Sequence, residues 1–144
     1  PVNYFLASKS YFFQGNYEKS IHFGLEASSK GMNTSDNFSI LGISYLKLNN
    51  LKLSYASFFK ALNLETNSSI TNFNYALINE ILNYDVVAAE HYYLSGLASI
   101  KEENYTRIYN SLVSLQRLSD KNKNIYETYV KLNDKILIFL NNRN

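Results

Sequence analysis

The chain has 144 residues, 46% hydrophobic and 18% charged, a composition that suits one globular domain and excludes a disordered chain. Its net charge is only +2, and the basic residues are scattered along the chain. We therefore expect neither a nucleic-acid partner nor binding to an anionic membrane surface. The absence of cysteine excludes disulfides, thiolate metal sites and cysteine nucleophiles.

The first predicted element is a helical hairpin centred on the stretch Tyr11–Ser20. Gly15 and Asn16 are poor residues for a helix interior, but glycine commonly ends a helix and asparagine commonly caps the next one. The only proline is Pro1, so no later proline interrupts a helix. These features predict an all-helical chain.

The hairpin pattern recurs every 34 residues, which is typical of stacked helical hairpins. We predict repeats at about 1–34, 35–68 and 69–100. Two helices approach closely only where side chains are small, and three such positions recur in each repeat. All nine residues at these positions are Gly, Ala or Ser: Ser8, Ser20, Ala27, Gly42, Ser54, Ala61, Ala76, Ala88 and Ser95.

This pattern resembles the tetratricopeptide repeat, a 34-residue helix-turn-helix unit. The residues that carry the resemblance are Tyr4, Ala7, Ser8 and Tyr11 in repeat one, Phe38, Leu41, Gly42 and Tyr45 in repeat two, and Tyr75 and Ala76 in repeat three. The sequence departs from the family pattern at three kinds of position. In repeat three Asn72 and Asn79 replace aromatics, and in repeat one Gly24 replaces the late aromatic of the second helix. The closing proline is replaced by Met32, Thr66 and Ile100. The resemblance implies an all-α, right-handed superhelical array of about eight helices.

Residues 101–144 do not continue the repeat in register. Apolar spacing predicts two longer helices, at about 105–118 and 124–140, joined by a polar segment at 119–123. A weaker echo of the hairpin, with Gly96 followed by Glu103 and Asn104, is offset by 20 residues instead of 34. We interpret these helices as a capping pair or a degenerate repeat.

The sequence offers no motif for catalysis. Its two histidines, His22 and His91, lie in different repeats, and the adjacent Glu102 and Glu103 do not converge across a cleft. No phosphate loop, metal-ligand spacing or nucleophile elbow is present. We expect no enzymatic activity and no cofactor. The apolar run Ile136–Leu140 is far shorter than a membrane-spanning helix, so we expect no transmembrane segment.

The leading functional hypothesis is a non-catalytic scaffold that binds another polypeptide. In a curved repeat stack the first helix of each repeat lines the concave side. Stepping along those helices predicts an apolar groove, whose candidate partner-binding residues are Phe5, Lys9, Phe12, Ile43, Leu46, Lys47, Phe73 and Leu77. The alternatives are that Phe12 and Phe13 pack as core residues, or that the C-terminal helices fill the groove.

Two other functions remain open. One is a helical domain for a lipid or hydrophobic ligand. The other is a self-association module that uses the exposed end of the array or the Ile136–Leu140 stripe, where Ile138→Glu or Leu140→Glu would make it monomeric. We do not expect recognition of chaperone C-termini, since the positions of that carboxylate clamp hold Phe5, Lys9, Ile40, Ile70 and Asn74, with one cation. The start at Pro1 and the lack of cysteine favour part of a longer, membrane-tethered protein of the bacterial cell envelope or periplasm. The cytoplasm is the alternative compartment.

Overall fold

The structure, a computed structural model, describes residues 1–143. Within this range it contains no strand and eight α-helices, which confirms the predicted all-α class. The helices are α1 Val2–Phe13, α2 Tyr17–Ser29, α3 Ser35–Lys47, α4 Leu51–Leu64, α5 Ser69–Ile81, α6 Asp85–Glu102, α7 Tyr105–Lys121 and α8 Tyr126–Asn141, with a 3₁₀ turn at Lys123–Ile125 before α8.

The chain divides into two compact units, Pro1–Glu65 and Thr66–Asn144. In the first unit each helix packs against the next one, and α1 also contacts α3. In the second unit α5 packs against α6, α6 against α7, and α8 against both α6 and α7. Each unit therefore has its own helical core.

The turns that recur every 34 residues share one backbone geometry. Gly15, Asn49 and Asn83 all have a positive φ, at 75°, 59° and 64°. This left-handed conformation suits glycine and asparagine and ends the first helix of the hairpin. Asn16 then accepts a hydrogen bond from the Lys19 amide (3.1 Å), which confirms the predicted cap of α2.

The nine small residues at the recurring positions are all buried. Several are serines whose hydroxyls bond across the helix contacts. Ser8 Oγ donates to the Ser20 carbonyl at 2.7 Å, and Ser44 Oγ lies 3.2 Å from Ser20 Oγ. These bonds satisfy hydroxyls that would otherwise be costly to bury, and they join α1, α2 and α3.

Size complementarity explains why repeat one departs from the aromatic pattern at Gly24. A Cβ at Gly24 would lie 2.8 Å from Leu41 Cδ2, because Leu41 of α3 occupies the space. Repeat two has the reverse arrangement, in which the Phe58 ring lies against Gly42. Each close contact thus pairs one glycine with one large buried side chain.

The two asparagines that replace aromatics in repeat three are buried and hydrogen-bonded. Asn72 Nδ2 donates to the carbonyls of Thr66 and Ser68, both at 2.9 Å. Asn79 Nδ2 donates to the Tyr75 carbonyl at 2.7 Å. The amides bond to backbone carbonyls, a role that an aromatic ring could not take.

The two helices predicted for the C-terminal part are present, with bounds that differ by up to three residues. Helix α7 continues to Lys121, so most of the supposed linker is helical, and α8 begins at Tyr126 after the 3₁₀ turn. The turn between α6 and α7 repeats the hairpin geometry: Glu103 has φ 55°, and Asn104 accepts a hydrogen bond from the Arg107 amide (3.0 Å). The 20-residue offset arises because the single long helix α6 both closes repeat three and leads into this turn.

The core of the second unit is formed by α5, α6, α7, α8 and the 3₁₀ turn before α8. Its buried members are Ala76, Ala88, Ala89, Tyr92, Ile108, Leu115, Leu118, Ile125, Leu132 and Ile136. Gly96 lets α8 approach α6, since a Cβ there would lie 2.6 Å from the Leu132 methyl groups. In the Ile136–Leu140 stripe considered for self-association, Ile136 belongs to this core, whereas Ile138 is 60% exposed.

Candidate partner-binding surface

Six of the predicted partner-binding residues lie in the first unit, on two helices that contact each other. Helix α1 carries Phe5, Lys9 and Phe12, and α3 carries Ile43, Leu46 and Lys47. The four apolar side chains are partly buried, and the two lysines are exposed. Neither lysine forms an ion pair within residues 1–143.

Helix α1 has the more apolar exposed surface of these two helices. Phe13 is 74% exposed, Leu6 56% and Val2 54%. The Phe12 ring makes edge contacts with Phe13 (5.5 Å between centroids) and with Tyr17 of α2 (6.1 Å). Phe12 therefore packs partly onto the second helix of its own hairpin, whereas Phe13 projects into solvent.

The other two predicted residues, Phe73 and Leu77, lie on α5 in the second unit and are partly buried. The Phe73 ring meets the ring of Tyr92 edge-on at 5.2 Å, so it packs against the core of that unit. Helix α8 packs against α6 and α7.

A polar cluster that sequence reasoning did not predict links α5, α6 and α7. Tyr92 Oη donates to Glu80 Oε2 at 2.6 Å, and Arg117 binds the same carboxylate through Nε (2.9 Å) and Nη2 (2.8 Å). Burial, followed by the bond to Glu80 and its charge, raises the pKa of Tyr92. Tyr92 therefore stays protonated, and the cluster joins α5, α6 and α7 through hydrogen bonds.

His91 packs within the second unit. Its Nδ1 lies 2.9 Å from Asn72 Oδ1, and its ring meets Tyr75 edge-on at 4.7 Å. Burial lowers the pKa of His91 below its ordinary value of 6.5, and the Glu90 carboxylate opposes this shift. The folded state thus disfavours the imidazolium.

We expect this histidine to make stability depend on pH. Because its folded pKa is depressed, its contribution is present above about pH 6.5 and is lost as the pH falls through the folded pKa. The urea midpoint should therefore decrease between pH 7.5 and 5.5, and His91→Gln should flatten that decrease. The control is His22→Gln on α2, which leaves His91 in place and should keep the dependence. Equal slopes for His91→Gln and the wild type would refute this role.

Within residues 1–143, no three His, Asp or Glu side chains come together in a way that could hold a metal ion. None of the helices in this range combines the length and apolarity needed to cross a bilayer. The predicted residues on α1 and α3 offer a partner apolar contact area and the charges of Lys9 and Lys47.

Neither a family model nor a curated protein matches the sequence, but solved structures match the fold. The second TPR domain of human RPAP3, solved in complex with the HSP70 peptide SGPTIEEVD, superposes with a TM-score of 0.68 at 15% identity, covering 83% of this chain and 98% of that domain. The chain has a tetratricopeptide-repeat-like fold. Two crystal structures of MamA also match this repeat fold, with TM-scores of 0.53 and 0.57 at 14% and 13% identity. They cover 94% and 97% of this chain, and 95% and 87% of their own.

Proposed function

We propose that this protein is a non-catalytic interaction domain that binds a partner polypeptide along α1 and α3, the first helices of its first two repeats. The observation that supports this most is the apolar surface left uncovered on α1, where Phe13 is 74%, Leu6 56% and Val2 54% exposed. Contiguous exposed apolar surface generally marks an interaction site. Folds of this repeat type serve in general as interaction domains, and not as catalysts.

The contact would be driven by apolar burial. Phe5, Ile43 and Leu46 are already partly buried, so a partner would cover the remaining part of each side chain. Complete burial of such a side chain contributes about 1.5–3 kcal/mol, and a part of that is available here. Lys9 and Lys47 are exposed and unpaired within residues 1–143, and they would orient acidic groups of the partner.

The binding mode would differ from the recognition of a peptide carboxylate. The RPAP3 domain was solved with the HSP70 peptide SGPTIEEVD. In this chain the positions of the family's carboxylate clamp include Phe5, Ile40 and Ile70, and Lys9 is their only cation. One lysine cannot hold two carboxylates, so we infer an apolar segment of the partner as the ligand. The proposed envelope location stays a prediction, which fractionation of the source cells would test.

The test is affinity capture from extracts of the source cells, with wild type beside Ile43→Glu. We expect proteins enriched by the wild type to be lost with Ile43→Glu, since a carboxylate would be desolvated at the contact. The matched control is Leu53→Glu, which places the same charge at an exposed position of α4 and should capture the same proteins. Circular dichroism checks that both variants keep their helices.

Equal recovery with Ile43→Glu would contradict the assignment of the α1–α3 surface. Extractable lipid that copurifies with the wild type, with no captured protein, would favour the hydrophobic-ligand alternative. A mass that changes on dilution would favour self-association.

A further inference from the structure

A second apolar surface lies in the second unit, in a cleft of about 500 Å³ between α6 and α8. We name it the α6–α8 cleft. Its main lining side chains are Leu97, Ile100, Lys101, Lys135, Ile138 and Phe139. They follow i, i+3 and i+4 spacing on each helix, so each helix presents one continuous face to the cleft. This cleft shares no residue with the α1–α3 surface.

The walls of the cleft are held in place by packing. Helix α8 lies close to α6 where Leu132 covers Gly96. The Phe139 ring lies 6.0 Å from the Tyr105 ring and 4.9 Å from the Arg143 guanidinium, and Arg143 in turn pairs with Glu103. The cleft is nevertheless open to solvent, because Ile138 on its wall is 60% exposed.

The charges along the cleft are positive and unpaired. Lys101 and Lys135 are both exposed, and neither forms an ion pair within residues 1–143. Three other cations of this unit do pair with carboxylates, among them Lys121 with Asp85 at 3.0 Å. Two free ammonium groups beside an apolar floor are complementary to a ligand that is apolar on one side and acidic on the other.

The shape of the cleft selects among the ways in which a polypeptide binds. Both walls are helices whose backbone groups bond internally, and residues 1–143 contain no strand, so no sheet edge can pair with an extended segment. A groove for proline-rich segments needs several aromatics, whereas this one has a single phenylalanine. The mode that remains is a helix laid into the groove, which apolar residues at i, i+3 and i+4 would anchor. We propose that the α6–α8 cleft binds an acidic amphipathic helix of a partner protein.

The proposal can be tested with a designed probe. A fluorescein-labelled peptide of about 16 residues would carry leucines at helical spacing and glutamates elsewhere, and its control would carry lysines in place of the glutamates. Fluorescence anisotropy would measure binding to the full chain. We expect the acidic peptide to bind at least about tenfold more tightly than the basic one, and Lys101→Glu/Lys135→Glu to weaken it by about tenfold or more.

Matched variants separate the cleft from general effects. Lys52→Glu/Lys60→Glu on α4 makes the same charge change at two other exposed lysines and should leave the affinity for the acidic peptide unchanged. Ile138→Ser should weaken binding, whereas Leu137→Ser, half exposed on the same helix but outside the cleft, should not.

Three results would overturn the proposal. The first is equal binding of the acidic peptide to wild type and to the double lysine variant. The second is tight binding of sodium laurate with no binding of the peptide, which would indicate a site for a lipid carboxylate. The third is a dimer that Ile138→Ser converts to a monomer, which would indicate that a second copy covers the cleft. Each result is independent of the capture experiment on α1 and α3.

Discussion

Phe58→Ala is expected to lower the free energy of unfolding by about 3–5 kcal/mol, the usual cost of removing a buried phenylalanine ring. Phe58 is completely buried in the first unit, and its ring lies directly over Gly42. Gly42 has no side chain that could occupy the space left by the ring. This contact holds α4 against α3 in the second repeat.

The matched control for this variant is the next residue. Phe59 is 44% exposed and stacks on Tyr55 with 6.3 Å between centroids. Phe59→Ala should therefore cost about 1 kcal/mol or less. Urea unfolding followed by circular dichroism measures both variants. Equal losses of stability would show that Phe58 is not the core side chain of this repeat.

Leu132→Ala is expected to cost about 2–5 kcal/mol, because Leu132 is completely buried where α8 meets α6. Its methyl groups fill the space left by Gly96, so the loss should come mainly from a cavity at this crossing. Removal of Leu132 would loosen α8, which packs against α6 and α7. The unfolding midpoint of the full chain measures the effect.

Two further variants show whether this crossing is responsible. Leu137→Ala removes a half-exposed leucine from the same helix and should cost less than about 1 kcal/mol. Gly96→Ala should destabilise the wild type but be tolerated in the Leu132→Ala background, where its Cβ no longer meets the leucine. Additive effects of the two changes would contradict this contact.

The parts of the fold that depend on local chemistry could be predicted from the sequence. The left-handed turn at Gly15, the cap by Asn16 and the recurring small residues each follow from residue types at fixed spacing. The nine small residues are all buried, as the close approach of helices requires. The apolar spacing of the last two helices was also sufficient to locate them within a few residues.

The parts that depend on contacts between distant residues could not be predicted. The bond of Arg117 to Glu80 joins residues 37 apart, and no local pattern indicates it. The extension of α6 to Glu102 reflects packing against α7 and α8 that the 34-residue register does not contain. The α6–α8 cleft was missed for the same reason. The sequence had indicated Ile138 only as a residue for self-association, and not as part of a cleft with α6.

The measurement that tests the proposed function most directly is site-specific photo-crosslinking with a captured partner. A benzophenone side chain would replace Phe5 on α1 or Phe59 on α4, which are aromatics of the same size in the first unit. We predict a crosslink from position 5, mapped by mass spectrometry to an apolar segment of the partner, and none from position 59. A crosslink from position 59 alone would contradict the assignment of the partner to the first helices of the repeats.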